Sequence, residues 1–174
     1  MPDSLEANLQ RVRQTIAGSA ERAGRDPNQV VLVAVTKGFP VERVREAMAV
    51  GLRILGENRV QEALSKIDEI GPADVAWHLI GHLQTNKIKF IEGRFRMVQS
   101  IDRAGLAEAL DRRLQSALDV LVEVNVAEEP QKRRCPVDTA LRQPPRRMAD
   151  ILGLPPGQPA TACGFRCLRL DLVE

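Results

Sequence analysis

Lys37 is the residue best placed in this sequence for covalent chemistry. It follows the apolar, β-branched run Val30-Val31-Leu32-Val33-Ala34-Val35 and sits in the loop Thr36-Lys37-Gly38-Phe39-Pro40. A lysine at the C-terminal end of a buried strand can be partly desolvated and act as an amine nucleophile. Such an amine typically forms a reversible imine with an aldehyde cofactor. A solvated loop lysine would fit the same position, and the local pattern leaves both readings open.

Other polar groups fall at the same end of the following strands. Gly56-Glu57-Asn58 closes the second strand. The Asn58 carboxamide can hydrogen-bond a ring hydroxyl or a substrate oxygen, or it can cap the next helix, and the two roles can coexist. Both histidines lie in His78-Leu79-Ile80-Gly81-His82. His82 falls near the C-terminal end of the third strand, and His78 falls within it. Histidines four apart form a metal pair on a helix. Here they lie on a strand without a partnered carboxylate, so no metal site is expected. Gly81 permits a close backbone approach or a bulge. Thr85-Asn86-Lys87-Ile88-Lys89 opens a short helix. Its free amides with Lys87 and Lys89 would attract an anion, or else be ordinary capping beside solvated charge.

These residues need a scaffold that brings strand ends together. Asp3 and Glu6 can form a capping box for a first helix, with Leu5, Leu9, Val12 and Ile16 at helical spacing and Gly24 and Pro27 ending it. Strands are then expected to start near residues 30, 54, 76, 97 and 119. Between them come helical patterns at Val41, Val44 and Met48, at Val60, Leu64 and Ile67, from about Thr85 to Ile91, and at Leu106, Leu110 and Leu114. Gly51 and Gly71 close two of these helices and Asp102 caps another. Alternating βα units of this length predict an α/β fold with a parallel sheet and helices outside, either a TIM-type barrel or an open doubly wound sheet. Neither a Gly-x-Gly-x-x-Gly nor a P-loop follows the first strand, which argues against the nucleotide-binding version.

Composition narrows the function classes. Aromatic residues make up only 3% with no Tyr, so a base-stacking platform for single-stranded nucleic acid is not expected. Residues 1–132 hold 18 Lys and Arg against 19 Asp and Glu, whereas residues 133–174 hold 7 Arg against 4 acids. The basic balance is therefore a property of the tail and not of a nucleic-acid-binding domain. Cys135, Cys163 and Cys167 also lie in that tail, without a second Cys pair or a nearby His, so a zinc site is not expected. An odd cysteine count and a polar N-terminus without an apolar core point to a cytoplasmic protein with reduced thiols and no membrane span.

The βα pattern stops after Lys132. Six of the 11 prolines fall in residues 133–174, a density that excludes regular helix or internal strand over most of the segment. Only the stretch around Arg146–Leu152 suits a short helix. We therefore expect an incomplete barrel domain over 1–132 and an irregular Arg/Pro/Cys-rich tail over 133–174. Such a tail is what out-of-frame reading of GC-rich coding DNA produces, and a truncation or frameshift near residue 133 is the expectation. A natural disordered tail is the alternative.

Three motifs in register resemble the YggS/PROSC family of pyridoxal phosphate homeostasis proteins. They are Val33-Ala34-Val35-Thr36-Lys37, Gly56-Glu57-Asn58-Arg59-Val60-Gln61-Glu62, and Trp77-His78-Leu79-Ile80-Gly81-His82-Leu83-Gln84-Thr85-Asn86-Lys87. Gln99-Ser100-Ile101-Asp102 and Val122-Glu123-Val124-Asn125-Val126 look like that family's next two strands. The resemblance covers about residues 4 to 132. It implies a partial TIM (β/α) barrel of the alanine racemase type, with about five βα units and an N-terminal helix. It also implies pyridoxal 5'-phosphate held as a Schiff base by Lys37, with Asn58 lining the cofactor pocket and His82, a further candidate cofactor-binding residue, close by. The implied role is to buffer or deliver the cofactor, with PLP-dependent apo-enzymes as partners and without a firmly assigned reaction. The sequence departs from the family where the phosphate is held, since neither the Ser/Gly/Met-containing segment after the sixth strand nor the C-terminal Gly-rich loop is found. A bound phosphate would lose most of its charge-assisted hydrogen bonds without them.

Two competing readings follow. An amino-acid racemase needs a second acid/base on the opposite cofactor face, which the related enzymes supply with a tyrosine, and this chain has none. A non-functional truncated product would unfold without a cooperative transition.

Overall fold

Ser4 starts the first helix: its hydroxyl accepts a hydrogen bond from the Ala7 N–H at 3.2 Å, capping α1 (Leu5–Arg22). The expected capping box is thus replaced by Ser4, and Asp3 lies outside the described residues. The computed structural model describes residues 4–125, 135–136 and 167–171. The expected helix around Arg146–Leu152, like most of the tail, lies outside them.

Five strands and three helices then alternate as the hydrophobic pattern predicts. They run β1 (Val31–Val35), α2 (Val41–Ala49), β2 (Ile54–Glu57), α3 (Val60–Ile70), β3 (Ala76–Leu79), β4 (Met97–Ile101), α4 (Ala104–Arg113) and β5 (Asp119–Val122). The segment between β3 and β4 is a 3-10 helix, Thr85–Phe90, and not an α-helix. Two-residue strands β6 (Val124–Asn125) and β7 (Cys135–Pro136) pair with each other, so the fifth strand expected through Val126 is interrupted after Val122.

The main sheet is wholly parallel, in the order β5-β4-β3-β2-β1-β8, with β8 formed by Cys167–Asp171. The tail was expected to be irregular, and this segment corrects that. Residues 167–171 follow the last proline, Pro159, and β1 offers them an unpaired edge. The two ends of the sheet order, β5 and β8, are not paired with each other, so the barrel is partial.

The core lies between the sheet and its helices. Ala34, Leu55, Trp77, Leu79 and Val98 form one cluster with Val44 and Ala47 of α2, Val60 and Ala63 of α3, and Leu106 and Leu110 of α4. The opposite, inner face carries Val33, Gly56 and Ile80, which are close enough that a Cβ on Gly56 would lie 3.1 Å from Val33 and 3.3 Å from Ile80. Alternation along each strand produces the two faces. β1 is fully buried only from Val33 onward, because Val31 at its start is exposed. No helix among the described residues is long and apolar enough to cross a membrane.

Candidate functional site

Lys37 stands in a turn directly after β1. The strand pairing continues one residue beyond the strand, where the Thr36 N–H donates to the Gly56 carbonyl at 2.9 Å. Thr36 is fully buried, Lys37 is half-buried, and the Phe39 N–H closes the turn onto the Thr36 carbonyl at 3.2 Å. Gly38 has φ 76°, a conformation that a side chain would strain.

Beneath this turn lies a buried polar cluster. The Lys66 Nζ of α3 donates to the Thr36 carbonyl at 2.6 Å, to Glu57 Oε1 at 2.7 Å and to Glu62 Oε1 at 2.8 Å. Glu57 Oε1 also accepts from the Thr36 hydroxyl at 2.6 Å, and Glu62 Oε1 accepts from the Gly38 N–H at 2.6 Å. Glu57 Oε2 is buried without a hydrogen-bond partner. Burial pushes the Glu57 carboxyl above its ordinary value, against the opposing bonds from Lys66 and Thr36. Burial also works to raise Glu62, but there the bonds from Lys66 and Gly38, with the attraction of Lys66 and Arg59, win and set it below the ordinary range. The sequence reading did not single out this cluster. The available signal was the buried stripe of α3, Val60, Ala63 and Lys66, in which a lysine occupies a core position.

Asn58 begins the loop after β2. The N-cap of α3 is Arg59, without a side-chain cap bond, so Asn58 does not cap that helix. Its carboxamide makes no hydrogen bond among the described residues, which leaves it uncommitted beside Lys37's strand. Its backbone is tightly placed. The Ile80 N–H donates to the Glu57 carbonyl at 2.8 Å, and a Cβ on Gly81 would fall 2.3 Å from the Asn58 carbonyl oxygen. Gly81 therefore supplies the close approach, and the Ser100 hydroxyl fixes it by donating to the Gly81 carbonyl at 2.6 Å.

His82 follows at the end of β3. Its Nδ1 lies 3.1 Å from Asp102 Oδ2, with the imidazole 55% exposed and the carboxylate 3% exposed. Asp102 was expected to cap α4. The N-cap is instead Arg103, and Asp102 binds both His82 and Arg103, the latter at 2.7 Å. His78 is buried in β3, where its Nδ1 accepts from Gln99 Nε2 at 3.0 Å. Burial first, and the charge of Arg96 second, lower its pKa below the ordinary imidazole value. At the 3-10 helix, Lys87 and Lys89 lie 5.9 and 4.9 Å from the Phe90 ring centroid, and Arg103 and Arg113 bond to the side chain and carbonyl of Thr85. Among the described residues no group of three His, Cys, Asp or Glu could hold a metal ion.

Lys37, Asn58 and His82 thus occupy the C-terminal ends of three neighbouring parallel strands, β1, β2 and β3. That is the end of a βα barrel at which loops converge on a ligand. The chain is a partial βα-barrel protein with an amine, a carboxamide and an imidazole at the C-terminal ends of neighbouring strands. No family model matches it. It is 42% identical over 127 residues to the pyridoxal phosphate homeostasis protein of Aquifex aeolicus, covering 71% of this chain and 56% of that one. It is 37% identical over 185 residues to the protein of the same name from Pseudomonas aeruginosa, covering 97% of this chain and 80% of that one. Among solved structures it is similar to PipY of Synechococcus elongatus. The form without PLP gives TM-score 0.65 at 34% identity, covering 78% of this chain and 65% of that one. The form with PLP bound gives 0.58 at 38% identity, covering 72% and 60%. The chain belongs to the pyridoxal phosphate homeostasis protein family. It spans just over half the length of the Aquifex relative and four-fifths of the Pseudomonas one.

Proposed function

We propose that this chain binds pyridoxal 5'-phosphate covalently and reversibly through Lys37 and serves to hold and hand on the cofactor without turning over a substrate. The single observation that carries this reading is the placement of Lys37 on a hydrogen-bonded turn at the functional end of a barrel belonging to this family. When bound, pyridoxal 5'-phosphate supplies an aldehyde carbon that condenses reversibly with a primary amine and releases water.

The donor set fits the aldehyde and ring end of that cofactor. Lys37 presents a primary amine from a fixed backbone. Asn58 offers a carboxamide that no other described residue uses, suited to a ring hydroxyl. His82, oriented by Asp102, completes the wall on the third strand. His78 lies deeper in β3, buried and bonded to Gln99. The phosphate end finds no counterpart of the family's binding segments in this sequence, so retention rests on the ring end. Residues 1–132 carry the binding residues in this reading, and residues 167–171 flank β1 as β8. The natural recipients of a reversibly held cofactor are PLP-dependent apo-enzymes, and the cytoplasm is where they would meet it.

Titrating the purified chain with pyridoxal 5'-phosphate, with Lys37→Ala in parallel, tests the proposal. A saturable absorbance band should appear in the wild type and vanish in the variant. Borohydride trapping should place the label on Lys37. A band that survives in Lys37→Ala, or label scattered over several lysines, would sink it.

A further inference from the structure

The turn that carries Lys37 is gripped on both sides by one helix. On one side, the Lys66 ammonium donates to the Thr36 carbonyl at 2.6 Å. On the other, Glu62 accepts from the Gly38 N–H at 2.6 Å. Both contacts reach the backbone of the residues flanking Lys37. Lys66 and Glu62 are in turn bonded to each other at 2.8 Å, four residues apart on α3. Glu57 anchors the base, accepting from Lys66 at 2.7 Å and from the Thr36 hydroxyl at 2.6 Å.

Packing alone does not account for this arrangement. The Lys66 side chain is 7% exposed and that of Glu57 0% exposed. An apolar side chain of similar volume would fill the site at lower desolvation cost. The cluster also tolerates a buried, unpartnered carboxylate oxygen, Glu57 Oε2. What these charged groups do that a methionine could not is hold two particular peptide groups in place.

We infer that Lys66 and Glu62 are positioning residues for Lys37, resting on the reading of Lys37 as the cofactor lysine. By fixing the peptides before and after residue 37 they hold the turn from which its side chain is presented. Their own side chains stay on the helix side. All three protons of the Lys66 ammonium are committed, to Thr36, Glu57 and Glu62, so Lys66 is not a rival nucleophile. An amine held on a fixed backbone loses less conformational freedom when it forms its bond, so the clamp favours covalent capture over loose association.

Glu62→Ala and Lys66→Met are the test variants, with Glu62→Gln as the conservative rescue because its amide oxygen can still accept from Gly38. Two ligands separate positioning from general damage: pyridoxal 5'-phosphate, and its analogue with a methyl group in place of the aldehyde, which occupies a pocket without bonding to lysine. In Glu62→Ala the borohydride-trapped label on Lys37 should form about tenfold more slowly while analogue affinity stays within about twofold. Amide hydrogen exchange at Gly38 should quicken in the unliganded chain, and Glu62→Gln should restore both. Lys66→Met should show the same split wherever it retains a cooperative unfolding transition. An unchanged labelling rate in Glu62→Ala, or labelling and analogue binding that fall together, would overturn the inference. A label that persists in Lys37→Ala removes the premise instead, so the two failures are read from different variants.

Discussion

Gly81 lies so close to Asn58 that a methyl group at position 81 would sit 2.3 Å from the Asn58 carbonyl oxygen and 2.7 Å from its Cα. The contact joins the loops that follow β2 and β3, and Ser100 of β4 pins it from the far side. Gly81→Ala should therefore push the Asn58 loop away from its place. We expect a loss of about 1–3 kcal/mol in unfolding free energy, the usual consequence of overpacking. Urea denaturation would measure it. Under the proposed cofactor role of Asn58, affinity for pyridoxal 5'-phosphate should fall as well.

The Lys66 cluster should be asymmetric under mutation. Lys66→Met leaves Glu57 and Glu62 without their cation and should destabilise the fold by about 3–5 kcal/mol. The double variant Glu57→Leu/Lys66→Met removes both buried charges and should recover part of that loss. A double-mutant cycle by urea denaturation gives the coupling, and purely additive losses would show that the two side chains act independently.

Glu57 gives a pH signature. Burial raises its folded-state pKa above the ordinary 4.5, so in the interval above 4.5 the folded chain holds a proton that the unfolded chain has released. Its contribution to stability is therefore present below that interval and is lost as pH rises through the folded value. Glu57→Gln should remove this part of the stability–pH curve.

His78 acts in the opposite direction. Its folded-state pKa lies below the ordinary 6.5, so the unfolded chain binds the proton first as the solution is acidified. Stability from this residue should be complete above pH 6.5 and decline as pH falls toward the folded value. Replacing it by Gln should flatten the curve there, and denaturation midpoints measured across that range would read the difference.

The architecture was legible where apolar runs were long and their period clear. β1 to β5 and the helices between them follow from strand runs such as Val33-Ala34-Val35 and helical spacing such as Val60, Leu64 and Ile67. The break after Val122 was not legible, because Val124 and Val126 continue the same apolar pattern across it. β8 was hidden by the prolines that precede it. At the site, Lys37, Asn58 and His82 stood out because each ends a strand. Lys66 did not, since on a helix a lysine ordinarily reads as solvated, and only its alignment with Val60 and Ala63 marks it as inward-facing. Asp102 looked like a cap because it precedes a helix. Its bond to His82 depends on strand adjacency that the chain order alone does not reveal.

The order of the sheet also bears on how the molecule is made. From β1 to β5 each strand pairs with the one before it in the chain, so every partner is already present when the next strand leaves the ribosome. Pairing of this kind closes short loops and can proceed strand by strand during synthesis. β8 is the exception, because it joins the last described segment to the first strand. Until that segment has been synthesised the nascent chain carries β1 as an open edge, with a row of unpaired backbone donors and acceptors.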